Sequence, residues 1–336
     1  MPQTDADVLV IGAGVIGLTT AICLAEAGVR VTVAAAEAPR QTTSVAAGAL
    51  WGPHLVGRDY RIARWAAVTR DRLAELAAPP IGTNALAGVV RTARGLAATA
   101  GADADADAEA PEYTAGGSPV RCDPAEVPAG YAAAWRLSAP LIAMPGYLDY
   151  LAGRLGQAGG TTAFGVRFGT LGDAREFAPQ VRVLVNCTGY GARDLTGDRD
   201  LIAVRGQAVV VRNPGLRDFF VGTGAAGWPL TYLFPHEDVV VLGGTEEPGR
   251  DSRAPDPATA ERILAACTAI RPELRHAAVV DHRVGLRPVR PSVRLDAEQA
   301  PGGVTVVHSY GHGGAGVTLS WGCAEDTVGL VLTALA

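Results

Sequence analysis

The chain opens with a pattern of apolar and polar positions that is typical of a βαβ unit. Val8–Ile11 is a short, wholly apolar run, as expected for a strand that is buried on both faces. Leu18–Ala27 is rich in alanine and leucine and is followed by Gly28, which predicts a helix with a glycine stop. Val29–Val33 alternates and predicts the second strand.

Beyond this unit, helical patterns recur toward both ends of the chain and short apolar runs fill the middle. The apolar spacing predicts helices over Arg58–Ala77, Tyr147–Leu155, Pro257–Ile270 with Asp256 as its cap, and Trp321–Leu335. Strands are predicted over Val181–Val185, Ala208–Val211, Leu230–Phe234, Val239–Leu242 and Val304–His308. This order predicts an α/β fold in which a β-rich insert interrupts a nucleotide-binding domain.

A glycine-rich loop joins the first strand to the first helix. It consists of Gly12, Ala13, Gly14, Val15, Ile16 and Gly17, which form a GxGxxG motif. The first glycine allows a tight turn, the second lets a pyrophosphate approach the backbone, and the third lets helix and strand pack closely. The motif alone is weak, but its position between a buried strand and a helix predicts a dinucleotide site.

One part of the dinucleotide fingerprint is missing. An acidic residue is expected at the end of the second strand, where it would bind a ribose hydroxyl. That place is Ala35, followed by Ala36, and the nearest acid is Glu37. Glu37 either reaches the ribose from its later position or is plain surface, and the residues leave both open. The missing acid favours FAD over NAD, and both alanines are expected to line the cofactor site.

Composition narrows the class of protein. The 336 residues suggest about two domains. All 29 basic residues are arginine, and the net charge of −5 argues against a nucleic-acid or anionic-membrane partner. No run approaches the roughly 18 apolar residues of a membrane helix. The five scattered cysteines form no CxxC motif, so we expect no disulfide framework and a location in a reducing cytoplasm. The six histidines form no HExxH motif, so we expect no metal site.

Several further segments carry a family resemblance. They are the ranges 42–48 (TTSVAAG), 186–189 (NCTG), 285–291 (GLRPVRP) and 310–318 (YGHGGAGVT). Together they resemble the D-amino-acid oxidase family, flavoproteins that also include D-aspartate oxidase. The resemblance extends from about residue 7 to about residue 330, and its most specific segments are GLRPVRP and YGHGG.

The resemblance implies non-covalently bound FAD and two interleaved domains. A Rossmann-like FAD-binding domain would comprise residues 1–57, 144–190 and 281–336, and an antiparallel-sheet α+β substrate domain residues 58–143 and 191–280. It also implies oxidative deamination: a D-amino acid gives a hydride to flavin N5, the imino acid hydrolyses to a 2-oxo acid and ammonia, and oxygen reoxidises the flavin to yield hydrogen peroxide. The partners would be a D-amino acid and oxygen, with no nucleic acid and no membrane.

The resemblance also assigns roles at the substrate. Arg287 would bind the substrate carboxylate, for which a guanidinium offers two parallel hydrogen bonds at any working pH. Tyr232 would donate its hydroxyl to the same carboxylate, and the backbone carbonyl of Gly314 would accept the amine. Trp228 stands where the family has a lid tyrosine, in a segment, Val221–Gly227, that looks shortened, and it can donate only through its indole N–H.

Other positions match FAD contacts of the family, and Thr318 among them would bond the pyrimidine edge of the flavin. These positions are Thr42, Thr43, Ser44, Gly48, Leu50, Val166, Thr188, Gly313, Gly314, Gly316, Val317 and Thr318.

His54 and Glu246 bear on which substrate side chain the protein accepts. The resemblance places His54 where the D-aspartate branch has histidine and the neutral branch has tyrosine. The D-aspartate branch also carries an arginine after the Gly-Gly of a later strand. In this chain the corresponding range, 243–247 (GGTEE), has carboxylates instead. Glu246 is either a solvated turn residue or a charge that repels D-aspartate and attracts a basic side chain. We therefore expect neutral or basic D-amino acids.

Four other functions stay open at this stage. They are a glycine- or sarcosine-type secondary-amine oxidase, a D-aspartate oxidase, an NAD-dependent dehydrogenase and a non-enzymatic FAD-fold protein. Neither His54 nor His312 is assigned as an obligate base, since position, desolvation and cofactor orientation supply most of the rate. The residue bias and the absence of a peroxisomal tripeptide suggest a bacterial cytoplasmic protein. The oligomeric state is left open, with a homodimer among the options.

Overall fold

The structure is a computed structural model that describes residues 6–78, 88–100, 109–111, 114, 118–224, 228, 230–300 and 303–336. Within these residues the strands are β1 Val8–Ile11, β2 Val31–Ala35, β3 Val90–Thr99, β4 Val120–Arg121, β5 Ala133–Ile142, β6 Thr161–Phe164, β7 Val183–Asn186, β8 Ile202–Arg212, β9 Phe219–Thr223, β10 Leu230–Pro235, β11 Val239–Gly243, β12 Glu247–Pro248, β13 Val279–Gln299 and β14 Thr305–His312. The α-helices are α1 Val15–Glu26, α2 Ile62–Ala77, α3 Met144–Gln157, α4 Leu171–Phe177, α5 Ala192–Thr196, α6 Pro257–Ile270 and α7 Gly316–Leu335.

One half of the sheet is parallel, in the order β6-β2-β1-β7-β14. Its two faces are both buried. Val8 and Val10 of β1 belong to a hydrophobic cluster shared with α1, α3 and α7. Leu9 and Ile11 belong to a second cluster, on the side of α4. Burial on both faces explains the continuous apolar run in the sequence, and the predicted Rossmann-like arrangement is confirmed.

The other half is mainly antiparallel, in the order β4-β5-β3-β9-β10-β11-β8. Helix α6 covers one face of it, where Ile263 and Cys267 pack against Val209 and Leu242. The chain passes between the halves several times, so the predicted α/β class with an interleaved antiparallel part is confirmed.

Strand β13 joins the two halves. Its first part pairs with β8 as far as Val289, and its last part, from Arg294, pairs with β14. The sequence did not predict a strand here, because proline cannot donate a hydrogen bond to a neighbouring strand and is disfavoured inside a sheet. Pro291 lies in the register shift between Val289 and Arg294, where no ladder bond is required of it. Arg287 is thereby placed at the seam between the halves.

Other bounds differ from the sequence prediction. Helix α1 begins at Val15, three residues early, and α7 at Gly316 instead of Trp321. Both first turns carry glycine and β-branched residues, which weaken a helical pattern. Strands β3 and β5 were missed, because β3 is rich in alanine and short of β-branched residues.

Helix α2 lies within the range predicted for the substrate domain. Its buried residues Trp65 and Leu73 pack in the same cluster as the parallel strands. The proposed division into domains stays a prediction. None of the helices in the described ranges is long and apolar enough to cross a membrane.

Candidate active site

A cavity of about 780 Å³ opens at the seam of the two halves. The carboxyl ends of the parallel strands contribute Gly12, Ala35, Thr188 and Gly313, the edge at which such sheets bind ligands. Its volume falls within the usual range of ligand sites.

Most of the residues predicted from the sequence meet in this one cavity. Its lining includes Gly12, Ala13, Gly14, Val15, Ile16, Ala35, Ala36, Thr42, Thr43, Ser44, Gly48, Leu50, His54, Val166, Thr188, Tyr232, Arg287, Gly313, Gly314, Gly316, Val317 and Thr318. Two predicted residues, Gly17 and Trp228, are outside this lining.

Gly17 acts where the first helix meets the first strand. A Cβ on Gly17 would lie 1.9 Å from the carbonyl oxygen of Gly12, so no larger residue fits. Gly12 itself has φ +112°, and a Cβ there would lie 2.5 Å from the carbonyl oxygen of Cys187. The N–H of Val15 donates to Ser44 Oγ at 3.0 Å. The loop therefore brings the N-terminus of α1 to the cavity, where its dipole favours a phosphate.

Three buried polar atoms in the cavity wall have no hydrogen-bond partner among the described residues. They are Ser309 Oγ, His312 Nε2 and His54 Nε2. Burial lowers the pKa of His312 to about 4, so its ring is neutral at neutral pH. A cavity with a glycine loop and unpartnered polar atoms fits a large polar cofactor such as FAD.

Thr318 is already engaged within the protein. Its hydroxyl donates to the carbonyl oxygen of Gly52 at 3.0 Å and lies 3.2 Å from the Gly52 N–H. Its proposed bond to the flavin stays a prediction, and the hydroxyl proton is committed to Gly52.

Arg287 presents its guanidinium to the cavity. The group lies flat against Gly206, where an added Cβ would be 2.5–2.6 Å from Cζ and both Nη atoms. One Nη donates to the carbonyl oxygen of Thr245 at 2.8 Å. Within the described part of the chain Arg287 has no carboxylate partner, unlike Arg290, which pairs with Asp198 at 2.9 Å. Arg287 is thus free to bind an anionic ligand.

Tyr232 lies in the same cavity. Its ring stacks on Phe234 with centroids 4.5 Å apart and an interplanar angle of 9°, and it covers Gly243, its register partner on β11. Burial raises the pKa of Tyr232, although the charge of Arg287 acts the other way. The hydroxyl stays protonated and can donate a hydrogen bond.

His54 and Glu246 form a pair beside the cavity. His54 Nε2 lies 3.0 Å from Glu246 Oε1, although the approach is too oblique for a well-formed hydrogen bond. Contact with His54, reinforced by the charge of Arg287, holds the pKa of Glu246 below its usual range against the effect of burial. The carboxylate therefore stays ionised beside His54 and within reach of the charge of Arg287.

Trp228 lies in a smaller cavity of about 210 Å³, with Thr245, Glu246, Glu247 and Arg262. The Arg262 guanidinium stands 5.0 Å from the centre of the indole. The predicted cover over the substrate stays a prediction, and the shortened lid falls in part on residues 225–227, outside those that the structure describes.

Arg253 was missed by sequence reasoning. It lines the large cavity and forms an ion pair with Glu37, and its other Nη donates to the carbonyl oxygen of Gln41. Glu37 also lines the cavity, and its contact with a ribose stays a prediction. No local signal could have found the pair, because its members are 216 positions apart in the chain.

Comparisons with known proteins agree with this geometry. A family model described as FAD dependent oxidoreductase matches residues 7–330. A D-amino-acid oxidase of Rubrobacter xylanophilus is 44% identical over 98% of this chain and 97% of its own. One of Streptomyces coelicolor is 42% identical over the same shares of both chains. A solved glycine oxidase of Geobacillus kaustophilus superimposes with a TM-score of 0.81 over 98% of this chain and 95% of that one, at 18% identity, which is a likeness of fold.

Proposed function

The chain belongs to the FAD-dependent oxidoreductase family, and we propose that it catalyses the oxidative deamination of D-amino acids. The observation that carries the proposal is Arg287, a cavity-lining guanidinium that has no carboxylate partner among the described residues. The products would be a 2-oxo acid, ammonia and hydrogen peroxide. Two relatives named D-amino-acid oxidase, similar over nearly the whole chain, support the same activity.

The protein's own residues would bind and orient the substrate. Arg287 would take the carboxylate through two parallel N–H groups, and Tyr232 would add a third donor from β10. The backbone carbonyl of Gly314 is proposed to accept the amine. These contacts fix two substituents of the α-carbon, the carboxylate and the amine, and the third requirement is that the α-hydrogen faces the cofactor site. The L-enantiomer cannot meet all three requirements with the same contacts.

FAD, when bound, would supply the hydride acceptor and pass the electrons on to oxygen. The residues that would hold it are the glycine loop at 12–16, Ser44, Thr188, Gly313, Gly314 and the range 316–318. The cavity walls would exclude water from the reacting atoms.

The activity can be tested on the purified holoprotein. Anaerobic addition of D-alanine, D-valine or D-arginine should bleach the flavin absorbance, and aerobic addition should release peroxide, while the L-enantiomers do neither. Bleaching by glycine or sarcosine but by no D-amino acid would indicate a secondary-amine oxidase and overturn the proposal.

We propose a preference for neutral or basic side chains over D-aspartate. Glu246 supports it, because an ionised carboxylate 3.0 Å from His54 places negative charge beside the substrate residues. A second carboxylate on the substrate would be repelled.

Glu246→Gln is therefore expected to change preference more than overall rate. For a partly exposed charge, kcat/KM for D-arginine should fall about fivefold and that for D-aspartate should rise, with D-alanine unchanged. Steady-state peroxide assays on the three substrates measure this. Glu261→Gln, the same change on the exposed face of α6, is the matched control. Equal changes for all three substrates would refute a role in selectivity.

We propose that the protein is cytoplasmic. This proposal is supported by the cysteines, all five of which are free. A homodimer stays one option for the oligomeric state.

A further inference from the structure

A buried row of polar side chains stands behind the cavity wall at Thr188. The backbone N–H and hydroxyl of Thr188 donate to Asn186 Oδ1 at 3.2 and 2.7 Å. Asn186 Nδ2 lies 3.3 Å from His308 Nδ1, and His308 Nε2 lies 3.1 Å from Glu298 Oε1. Asn186 and His308 are fully buried, and they are register partners on β7 and β14.

The hydrogen-bond directions in this row follow from its chemistry. The amide oxygen of Asn186 already accepts from Thr188, so its NH₂ group faces His308. His308 Nδ1 must then accept, which leaves the ring proton on Nε2, where it is donated to Glu298. Only the neutral Nε2–H tautomer of His308 satisfies every neighbour.

We propose that neutral His308 is a positioning residue for FAD, acting through Asn186 on Thr188. The inference rests on the assignment of the cavity to FAD. Losing the acceptor at Nδ1 would leave a buried amide N–H of Asn186 unpaired. The amide would then turn or shift, and Thr188 would lose the group that fixes it in the cofactor wall.

Protonation of His308 would have the same effect, because two N–H groups would then face each other. The charged groups around the ring lie on β13. Glu298 accepts a hydrogen bond from the ring, and Asp296 and Arg294 lie nearby. The neighbour on β7 is the neutral Asn186. Tyr310 on β14 meets the ring edge-on, with centroids 5.7 Å apart. Burial lowers the pKa of His308 below its usual 6.5, against the opposing effect of Glu298, so the ring is neutral at pH 6.5 and above and becomes protonated only at a lower pH.

Two substitutions of His308 separate positioning from space filling. Asparagine keeps an oxygen where Nδ1 stands but loses the bond to Glu298, whereas glutamine keeps a donor toward Glu298 but loses the acceptor facing Asn186. FAD is titrated into each apoprotein, and the dissociation constant is read from quenching of flavin fluorescence. The unpaired amide predicts about tenfold weaker binding for His308→Gln and nearly wild-type binding for His308→Asn.

If His308 only fills space, His308→Asn should weaken FAD binding more than His308→Gln, because glutamine is closer to histidine in size. Equal weakening in both variants, or none in His308→Gln, overturns the proposal. Thr188→Val added to His308→Gln should cause no further loss, and a full additional loss contradicts coupling through Asn186. Wild-type affinity for FAD should fall as the pH is lowered below 6.5, and His308→Asn should abolish that fall. Because the readout is cofactor binding, failure of the proposed catalytic activity would leave these outcomes distinct.

Discussion

Arg287→Ala is expected to lower kcat/KM for D-amino acids by about 100- to 1,000-fold, the range typical of removing one partner of a buried, hydrogen-bonded charge pair. The guanidinium lines the cavity, is anchored by the carbonyl oxygen of Thr245 and has no carboxylate partner among the described residues. The substrate carboxylate would enter the cavity without its charge partner and would lose two parallel hydrogen bonds. Steady-state peroxide assays should show a raised KM together with a lowered kcat, because the carboxylate also orients the α-carbon.

Two further variants make the result specific. Arg287→Lys keeps the charge but loses the planar fork, so it should fall between wild type and the alanine variant. Arg283→Ala removes an arginine from the same strand that pairs with Asp281 at 3.2 Å, and it should leave kcat/KM unchanged. Flavin absorbance confirms that each variant still holds FAD. A change of less than threefold for Arg287→Ala would contradict its role at the carboxylate.

The sequence predicted the parts of the molecule that are built from local signals. Residues 8–35 form the expected strand, glycine loop, helix and strand. A strand buried on both faces requires a continuous apolar run, and a close contact between helix and strand requires glycine, so both features are visible in a short stretch of sequence. Helix α6 begins as expected, with Asp256 accepting from the Thr259 N–H at 3.2 Å.

Features that depend on distant pairing were not predictable. Strand β13 carries two prolines and is stabilised by neighbours on both sides, β8 over one part and β14 over the other. Arg253 reaches the cavity only because the segment before α6 returns to Glu37. Trp228 matched a lid position in sequence, yet it lies with Arg262 in a separate, smaller cavity. Side-chain direction in such places is decided by packing, which a linear pattern does not encode.

Gly206 illustrates the same limit and yields the second large prediction. In the sequence it is one glycine between Arg205 and Gln207, with no sign that it faces another side chain. In the structure it lies in β8 opposite Gly285, and the Arg287 guanidinium covers its Cα. An alanine Cβ there would lie 2.5–2.6 Å from three guanidinium atoms, well inside van der Waals contact.

Gly206→Ala is therefore expected to act as an indirect Arg287 variant. The atoms in conflict belong to the far end of a flexible side chain, so the guanidinium should move while the strand stays in place. A displacement of about 1 Å from the bound carboxylate predicts a loss of roughly 100-fold in kcat/KM. The thermal unfolding midpoint and the FAD content should stay close to wild type, because neither depends on where the guanidinium points.

The decisive control is the double variant. In an Arg287→Ala background the three atoms nearest to the added methyl are gone, so Gly206→Ala should cost no further activity, and the two effects should be strongly non-additive. Gly153→Ala on α3, where the ideal Cβ meets no atom within 4 Å, controls for a glycine-to-alanine change as such. If Gly206→Ala lowers activity equally with and without Arg287, the methyl acts on the strand itself.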